Sequence, residues 1–352
     1  MRSCKVTVNN ETFFAKCGDL LLDSAIMNGI ELPHDCRTGA CGTCRVRLVE
    51  GKVFGGDQTD SDMIHACQAR ILSDLKIVTE PVPHPVSVPA KIVQMMRLAR
   101  DVIGVSIELE KPFNFLAGQY CKLQFRGFPP RCYSPSYPLE GRSRANLLHF
   151  QVRKLADGAV SSMLGENIQV GHRVRLTGPF GGAFFRPDHL GRVVLVSSGT
   201  GFAPMWSIAV DAITERPQRE LVFVVGARKL QSFYMHAALC RLALFPNATI
   251  IPIVSEAQDV SPAIRSGRAI DYLPNLSRDD VVYASGAPAL TEQVVRAAKS
   301  AGARCYADPF VSYAKLMAHP SLMTALVGWL ERPRNKQKGR SSLQQQSTSA
   351  KH

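Results

Sequence analysis

The chain is expected to fold as three successive units: a small mixed α+β sheet with one helix, an antiparallel β-barrel, and a doubly wound parallel α/β sheet. Three observations predict this. A length of 352 residues suffices for two or three domains. Pro81, Pro83, Pro85 and Pro89 form a stiff, extended spacer. Near Gly191 the rhythm changes, from short strands punctuated by Gly and Pro to buried strands alternating with helices.

The first unit covers residues 1–80. Residues 5–8 and 12–15 alternate as a hairpin around Asn9-Asn10. Leu21, Leu22, Ala25 and Ile26 mark one face of a short helix over 20–28, entered at Asp19 and stopped by Gly29. A strand then carries Val46 and Leu48 on one face and Arg45 and Arg47 on the other, and the unit ends near 77–78. Residues 81–89 are the linker. The barrel, 90–188, alternates over 101–109, turns at Gly118-Gln119-Tyr120 into 121–125, and continues over 147–153 and 173–176 to Gly178-Pro179-Phe180-Gly181. The third unit, 189–312, has strands at 193–196, 221–225, 249–254 and 281–284, and helices at 205–213, 233–242 and 290–301. There is no internal repeat.

Residues 313–352 form an extension. Leu322, Met323, Leu326, Trp329 and Leu330 suggest a short helix, followed by a disordered basic tail rich in Gln and Ser. The helix either packs as a terminal element or docks on a partner or a membrane surface.

The formal charge of +13 does not point to nucleic acid. Five of those charges come from Arg332, Arg334, Lys336, Lys338, Arg340 and Lys351 against Glu331, in the last 22 residues. Basic residues interleaved with base-stacking aromatics are absent. A moderately basic surface suits an acidic redox partner. No apolar run reaches the length of a membrane span, and Met1-Arg2-Ser3-Cys4 has no apolar core behind it. The expectation is a soluble, cytoplasmic monomer.

Cys36, Cys41, Cys44 and Cys67 are the most informative residues. The first three stand as C-x4-C-x2-C and the fourth follows a longer gap, the plant-type ligand pattern of a 2Fe–2S cluster. Zinc sites favour paired C-x2-C ligands, and this segment has one such pair. Gly39 and Gly42 permit positive φ, so that backbone N–H groups point at sulfur. The other six cysteines, Cys4, Cys17, Cys121, Cys132, Cys240 and Cys305, lack a pairing rhythm and read as small apolar residues in a reducing compartment.

Arg131-Cys132-Tyr133-Ser134 resembles the R-x-Y-S signature of the ferredoxin–NADP reductase superfamily. With the cysteine loop before it and Gly199-Thr200-Gly201-Phe202-Ala203-Pro204 after it, residues 1–312 resemble the one-chain reductases of multicomponent bacterial oxygenases. These are the naphthalene dioxygenase reductase and xylene monooxygenase reductase type. The resemblance implies a β-grasp ferredoxin domain, an FAD-binding antiparallel β-barrel and a nicotinamide domain, with electrons passing from NAD(P)H through FAD and the cluster to a terminal oxygenase or a separate ferredoxin.

Residue types support that assignment. Arg131 offers a fork of donors for a pyrophosphate. Tyr133 lies on the same side of the strand and presents a ring for stacking on an isoalloxazine. The resemblance places Ser134 near flavin N5, assisting hydride arrival. It also places Gln151-Val152-Arg153 along the ribityl side. Gly158-Ala159-Val160-Ser161 is expected to open a helix whose free N–H groups suit the FAD pyrophosphate. Gly199, Thr200 and Gly201 bring the nicotinamide dinucleotide close to the backbone, and Pro204 fits the first turn of the following helix.

Two departures from the family pattern stand out. Ser285-Gly286-Ala287-Pro288 replaces a C-G-x-P turn beside the nicotinamide, so a hydroxyl stands where a more polarisable thiol is common. Gly226-Ala227-Arg228 is followed by Ser232, where related NADH enzymes often carry aspartate. The repulsion that rejects a 2′-phosphate is then missing, with Arg228 and Lys229 nearby. The resemblance implies NADH, with NADPH possible. Phe310 is either a late aromatic near the flavin or a core residue closing the last strand. The exposed rim of the cluster loop, including Arg37 and Thr38, is the candidate electron exit. Two other readings stay open: a deoxysugar-type reductase serving an iron–sulfur dehydratase, separated by acceptor tests, and a degenerate carrier or scaffold, which binds a cluster without NAD(P)H-driven flavin bleaching.

Overall fold

Asn9, at φ +52°, closes the hairpin between β1 (Ser3–Val8) and β2 (Glu11–Lys16), a backbone region that Asn tolerates better than other side chains. The computed structural model describes residues 2–56, 62–142, 144–256 and 263–311. In the first unit α1 (Leu21–Met27) is followed by β3 (Arg45–Glu50), β4 (Val53–Phe54), β5 (Met63–His65), β6 (Arg70–Ile71) and β7 (Leu75–Thr79). The main sheet has the order β2-β1-β7-β3-β5, with β1 and β7 parallel, and β4 pairs with β6 apart from it. Val6, Leu21, Leu22, Ile64 and Ile77 fill its core, each contributing about 1.5–3 kcal/mol of burial.

Asp19 does not cap α1. The residue before the helix is Leu20, which bridges Arg70, and the first helical N–H groups donate to the carbonyls of Ala69 (2.9 Å) and Ala66 (3.1 Å). Backbone partners from a distant loop thus satisfy the open donors that a side chain would otherwise take.

The second unit is a curled antiparallel sheet of β8 (Val86–Ala99), β9 (Val102–Leu109), β10 (Tyr120–Phe125), β11 (Arg131–Tyr133), β12 (Pro135–Ser136), β13 (Leu147–Arg153) and β14 (Arg173–Phe180), in the order β11-β10-β14-β8-β9-β13-β12. β8 starts inside the expected proline spacer. Pro89 pairs opposite Arg175, and its carbonyl still accepts from Glu110 N (3.1 Å). The two edge strands, β11 and β12, are consecutive in the chain with Ser134 alone between them. The sheet therefore curls until its edges meet, and Ser134 sits on the seam.

The third unit has β15 (Val193–Ser198), α2 (Phe202–Glu215), β16 (Leu221–Ala227), α3 (His236–Leu242), β17 (Ala248–Val254), β18 (Arg265–Ser266), β19 (Val281–Gly286), α4 (Pro288–Ser300) and β20 (Arg304–Pro309). All are parallel, in the order β18-β17-β16-β15-β19-β20. Alternation decides the layers. Val193, Leu195, Phe223 and Tyr283 face α2 and α3, whereas Val194, Val196, Val224 and Val282 face α4, as a doubly wound sheet requires. α3 begins at His236, later than expected: a 3₁₀ turn, Leu230–Ser232, precedes it, and residues 233–235 between them are irregular. The terminal helix expected around Leu322–Leu330 lies outside the described residues. Among the described residues no helix is long and apolar enough to cross a membrane.

Candidate functional site

The cysteine loop folds back on its own sulfurs. Thr38 N (3.4 Å), Thr38 Oγ1 (3.3 Å) and Cys41 N (3.4 Å) all donate to Cys36 Sγ. Gly39 and Gly42 take the expected positive φ, +80° and +69°, and so does Arg37, at +59°, whose carbonyl accepts from Gln68 Nε2 (2.7 Å). The thiols associate two by two. Cys44 Sγ lies 3.2 Å from Cys67 Sγ, and Cys36 is hydrogen-bonded by Cys41. In each pair the hydrogen bond lowers the acceptor, Cys36 to about 5 and Cys67 to about 7, and raises the donors Cys41 and Cys44, which burial raises further. Among the described residues no three such ligands converge on one point. Two pairs of thiols, with amides aimed at sulfur, fit a dinuclear cluster, in which each metal takes two protein thiolates, better than a single metal ion.

This loop is docked on the barrel. Asp35, next to Cys36, accepts from Tyr120 Oη (2.5 Å) and pairs with Lys122 Nζ, and its side chain is 11 % exposed. Burial, with Cys41 and Asp35 nearby, pushes the Tyr120 phenol far up, so it remains a donor. Gly181 N donates to Thr43 Oγ1 (2.9 Å) and Gly182 N to the Cys41 carbonyl (2.9 Å). The backbones touch at glycines: a Cβ on Gly182 would lie 2.6 Å from the Gly42 carbonyl oxygen. Arg186 reinforces the junction. It makes two bonds to Glu80 (2.8 and 2.7 Å) and stacks between Phe184 and Tyr306, at 3.8 and 3.9 Å from their ring centroids. Burial alone would push the Glu80 carboxyl up, but the hydrogen bonds and charge of Arg186 outweigh it and hold it low.

β10 carries Tyr120 and Lys122 and pairs on its other side with β11, so that Lys122 lies opposite Cys132. The strand bearing Arg131 and Tyr133 is thus one strand spacing, about 4.8 Å, from the residues that hold Asp35. Arg131 and Tyr133 are both partly buried on one side of the strand. Ser134 is buried with its hydroxyl unpartnered.

On the third unit, Gly199–Gly201 forms a 3₁₀ turn that leads directly into α2, with Pro204 in its first turn. A Cβ on Gly201 would lie 2.3 Å from the Ser285 carbonyl oxygen, so only glycine admits this approach. Ala287 N donates to Ser198 Oγ (3.0 Å), and Pro288 opens α4. Ser285 is fully buried with no partner for its hydroxyl. Arg153 lies over Gly199 and places Nε 3.2 Å from Asp101. Gln151 bridges the units, accepting from Tyr234 Oη (2.7 Å) and donating to Ser136 (3.0 Å).

Other expected residues are placed differently. Val152 and Val160 point into the barrel core. The helix expected at Gly158 is a single 3₁₀ turn, Ser161–Met163, and the Ser161 hydroxyl is taken by Leu155 N (3.1 Å). Ala159 is exposed beside it. Thr200 is partly buried in its turn, and Gly226 is the penultimate residue of β16. Arg228 is exposed, and Ser232 closes its turn with its amide on the Lys229 carbonyl (3.0 Å). Phe310 is 36 % exposed and donates its amide to the Gly286 carbonyl (2.7 Å), so it is not a core residue. Arg37 pairs with Asp23 (2.9 Å) on the open side of the cluster loop.

Asp308 was not singled out by the sequence. It is the register partner of Ser285, Oδ2 is buried without a partner, and burial pushes its carboxyl up to about 7. Its charge is felt at Cys132, two residues before Ser134. An acidic residue two places before the late aromatic Phe310 was the available signal. Ser134, Ser285 and Asp308 are thus buried polar groups that lack partners. Buried groups of this kind call for a bound partner, and the edge of a flavin ring and a carboxamide would supply one.

Three family models match successive stretches of the chain. Residues 3–72 match the 2Fe–2S iron–sulfur cluster binding domain, 89–185 the oxidoreductase FAD-binding domain, and 195–296 the oxidoreductase NAD-binding domain. The chain is 32 % identical over 295 residues to the ferredoxin–NAD(P)+ reductase component of naphthalene 1,2-dioxygenase/salicylate 5-hydroxylase systems from Ralstonia sp., covering 79 % of this chain and 88 % of that protein. It is 28 % identical over 325 residues to the corresponding naphthalene 1,2-dioxygenase component from Pseudomonas putida, covering 86 % and 96 %. Among solved structures, a cytochrome P450 reductase from Amycolatopsis superposes with a TM-score of 0.64 at 28 % identity, over 88 % of this chain and 99 % of that one.

Proposed function

Because the chain belongs to the ferredoxin–NAD(P)+ reductase family of oxygenase reductase components, we propose that its three sites work as one relay delivering electrons to a terminal oxygenase or that oxygenase's ferredoxin. When bound, FAD accepts a hydride from NAD(P)H and the 2Fe–2S cluster carries electrons onward singly. The observation that carries this reading is the docking of the cysteine loop, through Asp35 on Tyr120 and Lys122, on the barrel strand next to the one bearing Arg131 and Tyr133.

The residues divide the work. Cys36 and Cys41 would hold one iron, Cys44 and Cys67 the other. Arg131 binds the pyrophosphate, and Tyr133 stacks against the ring. Ser134, on the seam, offers its free hydroxyl to the ring edge where the hydride arrives. Gly199, Thr200 and Gly201 would seat the nicotinamide dinucleotide against the sheet, close to the backbone where Gly201 meets Ser285. Ser285 orients the carboxamide. Asp308, neutral below about pH 7, holds a proton beside Ser285. Gln151 and Arg153 tie the barrel to the nicotinamide unit and would hold the flavin and nicotinamide sites in a fixed relation.

Arg37 and Thr38 lie on the open side of the loop, away from the barrel contacts at Asp35 and Cys41–Gly42, and form the face offered to the acceptor. All three sites belong to one chain, so a monomer suffices. Anaerobic titration of the purified protein with NADH and with NADPH tests the proposal. Flavin and cluster absorbance should bleach together. A protein that stays colourless after iron and flavin reconstitution, or whose flavin bleaches while its cluster stays oxidised, refutes it.

A further inference from the structure

We infer that Glu256 is a specificity-determining residue that makes this reductase prefer NADH to NADPH; the inference rests on the reading of the third unit as the nicotinamide site. In open parallel sheets a dinucleotide lies across the carboxyl ends of the strands. The end of the strand after the glycine loop then meets the adenosine ribose, where an acid takes a 2′-hydroxyl and an arginine takes a 2′-phosphate. Here that strand is β16, beside β15, and it runs out into Arg228 and Lys229. Judged by these two residues, the edge favours a phosphate.

The fold brings an acid to it from the next strand. Beyond β17, Ser255 N donates to the Ala227 carbonyl (3.0 Å) and Glu256 N to the Arg228 carbonyl (2.8 Å), extending the ladder past both strand ends. This places the Glu256 carboxylate across the two cations, Oε1 at 3.3 Å from Arg228 Nε and Oε2 at 3.9 Å from Lys229 Nζ. The three side chains are 49–75 % exposed, so the pairs add little to stability. Their effect is on what the edge presents: one net positive charge in place of two, with a carboxylate between the cations.

The next cation along the same edge is treated alike. Arg268, after β18, is held by Asp271 (Nη2–Oδ1 3.0 Å), and the neighbouring Ala269 packs on Gly226 of β16. A ribose 2′-hydroxyl can donate to Glu256, whereas a 2′-phosphate meets its charge and must displace it from both cations. Rejection is therefore built from a repulsive group on a neighbouring strand, not from an acid at Ser232.

Steady-state reduction of ferricyanide by the holoenzyme, with NADH and NADPH in turn, tests this. Wild type should favour NADH in kcat/KM. Glu256→Gln should raise kcat/KM for NADPH about fivefold, mainly through KM, as removal of one unit charge near 4 Å in water implies, and should lower kcat/KM for NADH, whose 2′-hydroxyl then donates to a neutral amide oxygen in place of a carboxylate. Adding Arg228→Ala to Glu256→Gln should reverse the gain. As a binding readout, 2′,5′-ADP should tighten relative to 5′-AMP in the Glu256→Gln protein by calorimetry. An unchanged NADPH-to-NADH ratio in Glu256→Gln, or a wild type that favours NADPH, overturns the inference. Failure of both nucleotides to reduce the wild-type flavin instead overturns the nicotinamide reading beneath it.

Discussion

Replacing Gly182 by alanine should slow electron entry into the cluster while leaving hydride delivery to the flavin intact. The added Cβ would stand 2.6 Å from the Gly42 carbonyl oxygen and 3.0 Å from its Cα, where ordinary contact begins at 3.4 Å. Both near atoms are backbone, so no side chain can swing aside. The cysteine loop must retreat by up to the 0.8 Å that separates 2.6 from 3.4 Å, and the bond from Gly182 N to the Cys41 carbonyl lengthens with it. Overpacking costs about 1–3 kcal/mol, and the weakened hydrogen bond about 1 kcal/mol more. Asp35, Thr43 and Arg186 lie outside the clash and keep the loop docked, so the effect is displacement rather than release. Electron transfer weakens exponentially with the separation of donor and acceptor, so a displacement of this size is expected to slow the cluster phase several-fold. Anaerobic stopped-flow separates the two steps. With excess NADH the flavin phase should keep its rate and the cluster phase should slow. Equal cluster phases in variant and wild type would refute the claim that this backbone contact sets the distance.

Three further outcomes follow from geometry. Cys67→Ser should abolish cluster absorbance and iron retention while ferricyanide reduction through the flavin persists; full iron content by chemical assay would count against the ligand assignment. Asp308→Asn should remove an inflection near pH 7 from the rate of flavin reduction by NADH, because the carboxyl is neutral below that pH and ionised above it; a profile that keeps the inflection assigns it elsewhere. Glu80→Gln leaves the buried Arg186 without its counter-charge and should destabilise by about 2 kcal/mol, less than a fully buried pair because the Glu80 side chain is 30 % exposed. Since the Glu80 carboxyl is held low in the fold, its contribution is present above the usual carboxylate range and disappears as pH falls through the folded value. Urea melts of the two proteins should therefore differ at pH 7 and converge as pH falls below the usual carboxylate range; a gap that stays constant with pH would contradict the assignment.

Local signals carried most of the architecture. The spacing of Cys36, Cys41, Cys44 and Cys67 falls within the stretch that matches a 2Fe–2S domain, on a loop whose amides close on sulfur. The apolar runs of β15, β16 and β19 identify a sheet covered on both faces. What stayed hidden depends on distance along the chain. Asp35 meets Tyr120 across 85 residues and Glu80 meets Arg186 across 106, and neither pair leaves a periodic trace. Asp19 looked like a cap because its residue type suits one, yet Ala66 and Ala69 supply the acceptors. Pro89 looked like spacer because proline lacks a donor, yet it lies in a strand as long as Val86–Ala99. Asp308 was passed over because a single carboxylate at a strand end usually faces water. Only the fold shows this one beside Ser285 with an oxygen left over.

The single residue between β11 and β12 joins opposite margins of one sheet. If Arg131, Tyr133 and Gln151 hold the flavin as proposed, closing the cylinder and assembling its pocket are the same event: until the margins meet, Arg131 and Tyr133 on one and Gln151, next to the other, do not face a common ligand. A dinucleotide bridging them acts as a clasp, and its affinity adds to the folding free energy of the whole unit by mass action. Flavin supply during synthesis would then govern how much intact reductase a cell accumulates, as well as how fast each molecule turns over.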